Sequence, residues 1–279
     1  MLDASQKDQF ERQGYLVLPD VVSEADLESI RGSAAELIDA FDIDNNRSVF
    51  TTGDKDEGRD SYFLESAERV HCFLEEEALD EQGNLLKPKA LAINKIGHAM
   101  HDLVPAFTHF CRLPIFAELF RDLGYTAPKL WQSMYIFKQP KIGGEVRWHQ
   151  DASYLNCGNS RLTGLWLALE DAHQDNGCLW VNPGGHRSPL REIFQVQPGS
   201  DEGNLRALDP EPWPDHSEAV ALEVSAGSLV LFDGFMPHYS SPNRSSQSRQ
   251  AFTMHVTEVD APWSAENWLQ RRNLPDFLL

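Results

Sequence analysis

A mainly β domain with a helical flank packed on a jelly-roll-like barrel is the fold the sequence predicts, and three observations predict it. From residue 130 onward the chain breaks into short runs rich in β-branched and aromatic residues, separated by Gly and Pro turn signals. Before residue 130, apolar residues recur at helical spacing. No linker and no internal repeat divides the 279 residues, a length that a single all-β domain can reach.

The elements follow in order. Residues 5–13 are expected to form a short helix stopped by Gly14, and residues 15–18 a short strand ended by Pro19. Ser23, with Asp26 three positions on, supplies a helix N-cap, and Leu27, Ile30, Ala34, Leu37, Ile38 and Phe41 then share one helical face, which is expected to pack on a core. Residues 42–60 lose all apolar periodicity and are expected to form a polar loop, a candidate lid. Further helical stretches are bracketed by Pro105, Pro114 and Gly124. Strands are expected over 130–138, 161–170, 178–182, 219–224, 228–232 and 250–259, with turns at Gly143-Gly144, Asn176-Gly177, Pro183-Gly184-Gly185 and Ala226-Gly227. This gives one domain, with residues 1–129 as a mostly helical flank, 130–260 as the β core and 261–279 as a tail.

Composition narrows the function. The chain is 41% hydrophobic with seven Trp and fifteen Phe, as expected of a globular protein. Its 43 acidic against 24 basic residues give a net charge of -19, which repels nucleic-acid phosphates and anionic membrane surfaces. The start, MLDASQKDQF, has no apolar core of a signal peptide, no run is apolar enough to span a membrane, and the last residues are not a peroxisomal address, so a cytoplasmic protein is expected. Four cysteines without CxxC spacing are expected to stay reduced.

The chemistry centres on Trp148-His149-Gln150-Asp151. On extended chain, residues i and i+2 share a face, so His149 and Asp151 can present a nitrogen and an oxygen to one point. A second histidine, His238, follows a strand end and turn, and Arg249 lies beyond it. Two histidines and one carboxylate with open positions form the facial triad of non-haem iron(II) oxygenases. A bidentate oxoacid can take two open positions and dioxygen the third; were the oxoacid a dicarboxylate, Arg249 could pair its far end bidentately, with Lys95 as a second charge. His98, His101 and His109 lack an acidic partner at a recognised ligand spacing and are expected to be structural. Two other readings of the same ligands stay open: a zinc hydrolase with an activated water, and a non-catalytic cupin-like ligand sensor. A buried dicarboxylate anchor counts against the hydrolase. Trp148, Arg147, Tyr154, Tyr62 and Phe63 are candidates to line a substrate pocket.

The segment His149-Gln150-Asp151-Ala152-Ser153, the His238-x-Ser240 pair with Asn243 behind it, and Arg249-Gln250-Ala251-Phe252 resemble the phytanoyl-CoA dioxygenase family. Ile93-Asn94-Lys95-Ile96-Gly97-His98, Gln132-Ser133-Met134-Tyr135-Ile136-Phe137-Lys138-Gln139-Pro140, Gly143-Gly144-Glu145-Val146, the stretch from Trp166 to Gly177 and Glu266-Asn267-Trp268-Leu269 extend the resemblance to the group called phytanoyl-CoA dioxygenase domain-containing proteins. The resemblance implies a double-stranded β-helix, a cupin-like jelly roll, that uses Fe(II), 2-oxoglutarate and O2. It further implies that His149, Asp151 and His238 hold iron and that Arg249, helped by Ser240, pairs the distal carboxylate of 2-oxoglutarate. Lys95, Met134 and Trp166 would line the cosubstrate site. Succinate and carbon dioxide would be released as a small organic substrate is oxidised. Retention of Asp151, which related halogenases lack, points to hydroxylation or desaturation.

Overall fold

The computed structural model describes residues 1–50, 61–200 and 202–279. Its first half contains α1 (Ala4–Gln13), β1 (Tyr15–Leu18), α2 (Glu24–Ala40), α3 (Ser61–Glu65), β2 (Val70–Leu74), β3 (Ile93–His98), α4 (Met100–Leu103), α5 (Pro105–Cys111) and α6 (Pro114–Asp122). Eleven strands follow, beginning with β4 (Pro128–Lys138), β5 (Val146–His149), β6 (Leu162–Ala168), β7 (Leu179–Val181) and β8 (Glu192–Val196). After these come β9 (Gly203–Ala207), β10 (Val220–Leu222), β11 (Leu229–Asp233), β12 (His238–Ser240), β13 (Arg249–Glu258) and β14 (Phe277–Leu278). Of the polar loop expected over 42–60, residues 51–60 lie outside the described residues, and Val49 makes a parallel bridge to Leu74.

Local chemistry sets the helix ends. Asp3 caps α1 through a reciprocal box with Gln6, and Gly14 ends it at φ 77°, a left-handed conformation that costs glycine little. Ser23 caps α2 by accepting from the Asp26 N–H, and Leu27, Ile30, Ala34 and Ile38 form its buried face. Pro105 and Pro114 open α5 and α6, where the missing N–H is not needed.

Most strands form two facing antiparallel sheets, and β8 and β9 pair separately as a two-stranded sheet. The large sheet runs β1-β11-β6-β13-β4-β3-β2, with β14 added to β4; the small one runs β10-β7-β12-β5. Strands β1, β2 and β3 come from the flank, so that segment extends the large sheet as well as covering it. Alternation along the large sheet divides its side chains between two cores. Leu165, Leu167, Leu229, Leu231, Phe252 and Met254 meet the apolar faces of α2, α5 and α6. Trp166, Ala168, Val230, Phe232 and Ala251 point the other way, against Leu179, Val181 and Leu222 of the small sheet. With both faces covered, β6 is buried at every position, and its sequence is correspondingly apolar rather than alternating. This is the jelly-roll architecture expected from the sequence.

The residues after β13 are built into the body. Trp263 stacks on Trp131 with ring centroids 3.5 Å apart, and Arg271 pairs with Asp102 at 2.7 Å. Among the described residues no helix is long and apolar enough to cross a membrane.

Candidate metal centre and adjoining cavity

His149 ends β5 and His238 opens β12, and the two are register partners across the small sheet with ring centroids 4.0 Å apart. Strand β5 stops at His149, but Gln150 remains extended at φ -119°, ψ 135°, so the two-residue alternation carries through to Asp151. Asp151 opens a single helical turn, pinned by the Ala152 N–H donating to the Gly234 carbonyl at 2.9 Å. Asp151 Oδ1 thus lies 3.7 Å from each of His149 Nε2 and His238 Nε2. One ligand atom from each residue falls within 4.8 Å of the others, the one such cluster found among the described residues.

The hydrogen bonds behind the cluster fix which atoms face inward. His149 Nδ1 is 2.9 Å from the Arg147 carbonyl and His238 Nδ1 is 2.9 Å from the Met236 carbonyl. A carbonyl only accepts, so each Nδ1 carries the proton and each Nε2 keeps its lone pair for the cluster. Burial, and then the neighbouring His238, pull the His149 pKa down to about 3 against the pull of Asp151, which leaves the ring neutral at physiological pH. Burial acting on Asp151 favours the neutral acid, but His255 and His238 outweigh it and hold the carboxyl below the usual range. Two imidazoles that turn Nε2 inward and a carboxylate, converging on one point, match the donor set for ferrous iron.

Beside the cluster lies a cavity of about 130 Å³. Lys95, Met134, Arg147 and Tyr154 line it, as does an apolar wall that includes Phe63 and Trp268. Lys95 places its ammonium 3.4 Å from the centroid of the Phe50 ring. Arg147 is tied through both terminal nitrogens to Glu192, at 2.8 and 3.2 Å.

Two of the expected wall residues face elsewhere. Trp148 lies between Arg147 and His149 on β5 and turns to the opposite face, 4.5 Å from the Tyr239 ring and 5.8 Å from His216. Tyr62 stacks on His71 at 4.0 Å and donates to the Cys72 carbonyl, outside the cavity lining.

Arg249 is the first residue of β13 and is only 2% exposed. Its Nε–H donates to the Gly177 carbonyl at 3.1 Å, its guanidinium lies 5.5 Å from the Trp166 ring, and one terminal nitrogen is buried with no partner. Burial lowers its pKa to about 10, so it stays cationic at neutral pH. Ser240 contributes a carbonyl that accepts from Lys138 at 3.2 Å.

Three residues of this region are not among the site candidates that the sequence offers. Lys138, 1% exposed, spends its ammonium on the carbonyls of Gly144, Ser241 and Ser240, and burial drives its pKa well down. His255 lies 2.8 Å from Asp151 Oδ2, and Gln132 lies 3.1 Å from the other nitrogen of that ring. The available clue was the alternation Arg249, Ala251, Thr253, His255 along one strand. His98 and His101 have structural partners instead: His98 meets Ser66 at 2.7 Å, and His101 bridges Ser133 and Asp102 at 2.9 and 3.0 Å.

Comparison with known proteins agrees with this architecture. The family model for phytanoyl-CoA dioxygenase matches residues 10–251. A phytanoyl-CoA dioxygenase of Arabidopsis thaliana is 41% identical over 99% of this chain and 96% of its own length. The phytanoyl-CoA dioxygenase domain-containing protein 1 of Bos taurus is 41% identical over 96% of this chain and 95% of its own. Among solved structures, EctD from S. alaskensis with 2-oxoglutarate and 5-hydroxyectoine superposes with a TM-score of 0.66 at 21% identity, covering 98% of this chain and 85% of that one. EvdO2 from Micromonospora carbonacea complexed with 2-oxoglutarate gives 0.60 at 22% identity, covering 97% and 98%. At these identities the structural likeness speaks to fold.

Proposed function

This chain belongs to the phytanoyl-CoA dioxygenase family and is a non-haem iron, 2-oxoglutarate-dependent oxygenase, and on that premise we propose that it hydroxylates a small organic molecule with release of succinate and carbon dioxide. In this proposal His149 Nε2, His238 Nε2 and Asp151 Oδ1 hold the ferrous ion, a role supported by their convergence and by the carbonyls that fix both ring tautomers. When bound, iron and 2-oxoglutarate together supply the oxidising power of dioxygen to a substrate C–H bond.

Arg249 anchors the far carboxylate of 2-oxoglutarate, and its buried guanidinium nitrogen without a partner is the observation that carries the proposal. A permanent charge left unpaired inside a protein is costly unless a ligand of opposite charge completes it. A metal hydrolase has no need of such a group. Met134 and Lys95 line the cavity beside the metal ligands, while Trp166 packs beneath the Arg249 guanidinium. The aromatic wall, with Phe63 and Tyr154, excludes water and faces the substrate. The acidic chain disfavours a coenzyme A thioester, with its several phosphates, as substrate.

The test is an anaerobic titration with Fe(II) and then 2-oxoglutarate, following the visible charge-transfer band of a chelated oxoacid and then succinate on admission of dioxygen. A protein that binds Fe(II) but neither develops the band nor makes succinate is not this enzyme.

A further inference from the structure

Asp151 has two carboxylate oxygens, and the structure treats them differently. Oδ1 faces the two histidine Nε2 atoms, each at 3.7 Å, whereas Oδ2 is turned away to His255 Nε2 at 2.8 Å. His255 is 3% exposed on β13. Its other nitrogen faces Gln132 Nε2, from the adjoining strand β4, at 3.1 Å. An amide N–H only donates, so His255 Nδ1 accepts, the ring proton sits on Nε2, and that proton is donated to Asp151 Oδ2. The chain Gln132 to His255 to Asp151 is therefore directional.

Space is reserved for this contact. Gly164 on β6 is the register partner of His255, and a Cβ at Gly164 would stand 3.0 Å from Asp151 Oδ2 and 2.5 Å from the Phe232 ring. Only a residue without a side chain leaves room there for the carboxylate to lie against the imidazole.

We propose that His255 is a positioning residue that holds Asp151 Oδ2 away from the metal and restricts the carboxylate to one-oxygen coordination. The inference rests on the assignment of His149, Asp151 and His238 as the metal ligands. Its consequence concerns the vacant side of the metal. A carboxylate free to chelate through both oxygens occupies an extra position, and a 2-oxoglutarate-dependent oxygenase needs three: two for the oxoacid and one for dioxygen. Outer hydrogen bonds of this kind orient metal-binding side chains, and their loss costs about 10- to 100-fold in metal affinity or activity.

Co(II), which tolerates air, is a suitable probe of the purified full-length chain. Affinity is read by calorimetric titration, and coordination mode by the infrared separation of the two carboxylate stretches, wide for one-oxygen and narrow for two-oxygen binding. In His255→Leu the separation narrows and Co(II) affinity falls about 10- to 100-fold. In His255→Gln, whose amide N–H can still reach Oδ2, both return toward wild type. A merely structural role lowers the melting temperature of both variants without moving the infrared separation, and that result overturns the inference. If His255→Leu does not fold, Gln132→Met frees the ring to place its proton on Nδ1 and must narrow the separation in part; an unchanged separation also overturns it. Failure of the wild-type chain to bind Co(II) is a different result, which removes the metal assignment itself and this inference with it.

Discussion

Arg249 and Lys138 are register partners on adjacent strands, two cations buried side by side, yet only Lys138 has every N–H directed at a protein carbonyl. Lys138 is thereby committed to holding the 144 and 240–241 backbone together. Arg249 has one buried nitrogen without a protein partner.

Arg249→Ala is expected to weaken 2-oxoglutarate binding by about 2 to 4 kcal/mol, the scale for removing one side of a buried charged pair, while leaving metal affinity near wild type. Calorimetric titration of the Co(II)-loaded protein measures both. Unchanged 2-oxoglutarate affinity would remove Arg249 from the cosubstrate site.

Lys138→Met is expected to act on the fold. It leaves three carbonyls, that of Ser240 buried and those of Gly144 and Ser241 part-buried, without this donor and is expected to lower unfolding free energy by about 1 to 3 kcal/mol in urea titrations. Its effect on 2-oxoglutarate affinity should be the smaller of the two cation variants, since its ammonium is already satisfied.

Asp151→Ala is expected to abolish Fe(II) binding. A metal that binds only the native state adds about 2.7 kcal/mol of stability at a hundredfold excess over its Kd. The wild-type melting temperature should therefore rise with added Fe(II) under anaerobic conditions and that of Asp151→Ala should not. Equal shifts in both proteins would place the metal elsewhere.

Asp102 gives a pH-dependent prediction. Burial of this carboxyl raises its pKa, but hydrogen bonds and charge from His101 and Arg271 outweigh that and lower it below its ordinary value. A depressed carboxylate stabilises the fold fully above its unfolded pKa of about 4 and loses that contribution as pH falls toward the folded value. The destabilisation caused by Asp102→Asn, about 3 to 5 kcal/mol at neutral pH for breaking a buried pair, should shrink as pH falls below about 4. Chemical denaturation of both proteins across that range checks the sign.

Trp148→Phe separates the two faces of β5. Because the indole packs on Tyr239 rather than in the cavity, the variant should change stability while leaving 2-oxoglutarate affinity unaltered.

The sequence by itself determined the architecture, the convergence of His149 with Asp151, and the candidacy of His238 and Arg249. Those features depend on near-neighbour geometry: capping residues, the two-residue alternation of extended chain, and charges too costly to bury without purpose. Tertiary structure alone decided the remainder. Gln132, His255 and Gly164 stand on three strands and meet Asp151 only through cross-strand register, which no local pattern encodes. Whether Trp148 or its neighbours face the cavity depends on which side of β5 meets the large sheet. Alternation announces a face only when the other side is wet, and in strands buried on both sides, such as β6, apolar side chains are required in both directions. The sequence could therefore name the residues proposed to meet a metal, while the packing of two sheets decided which residues stand behind them.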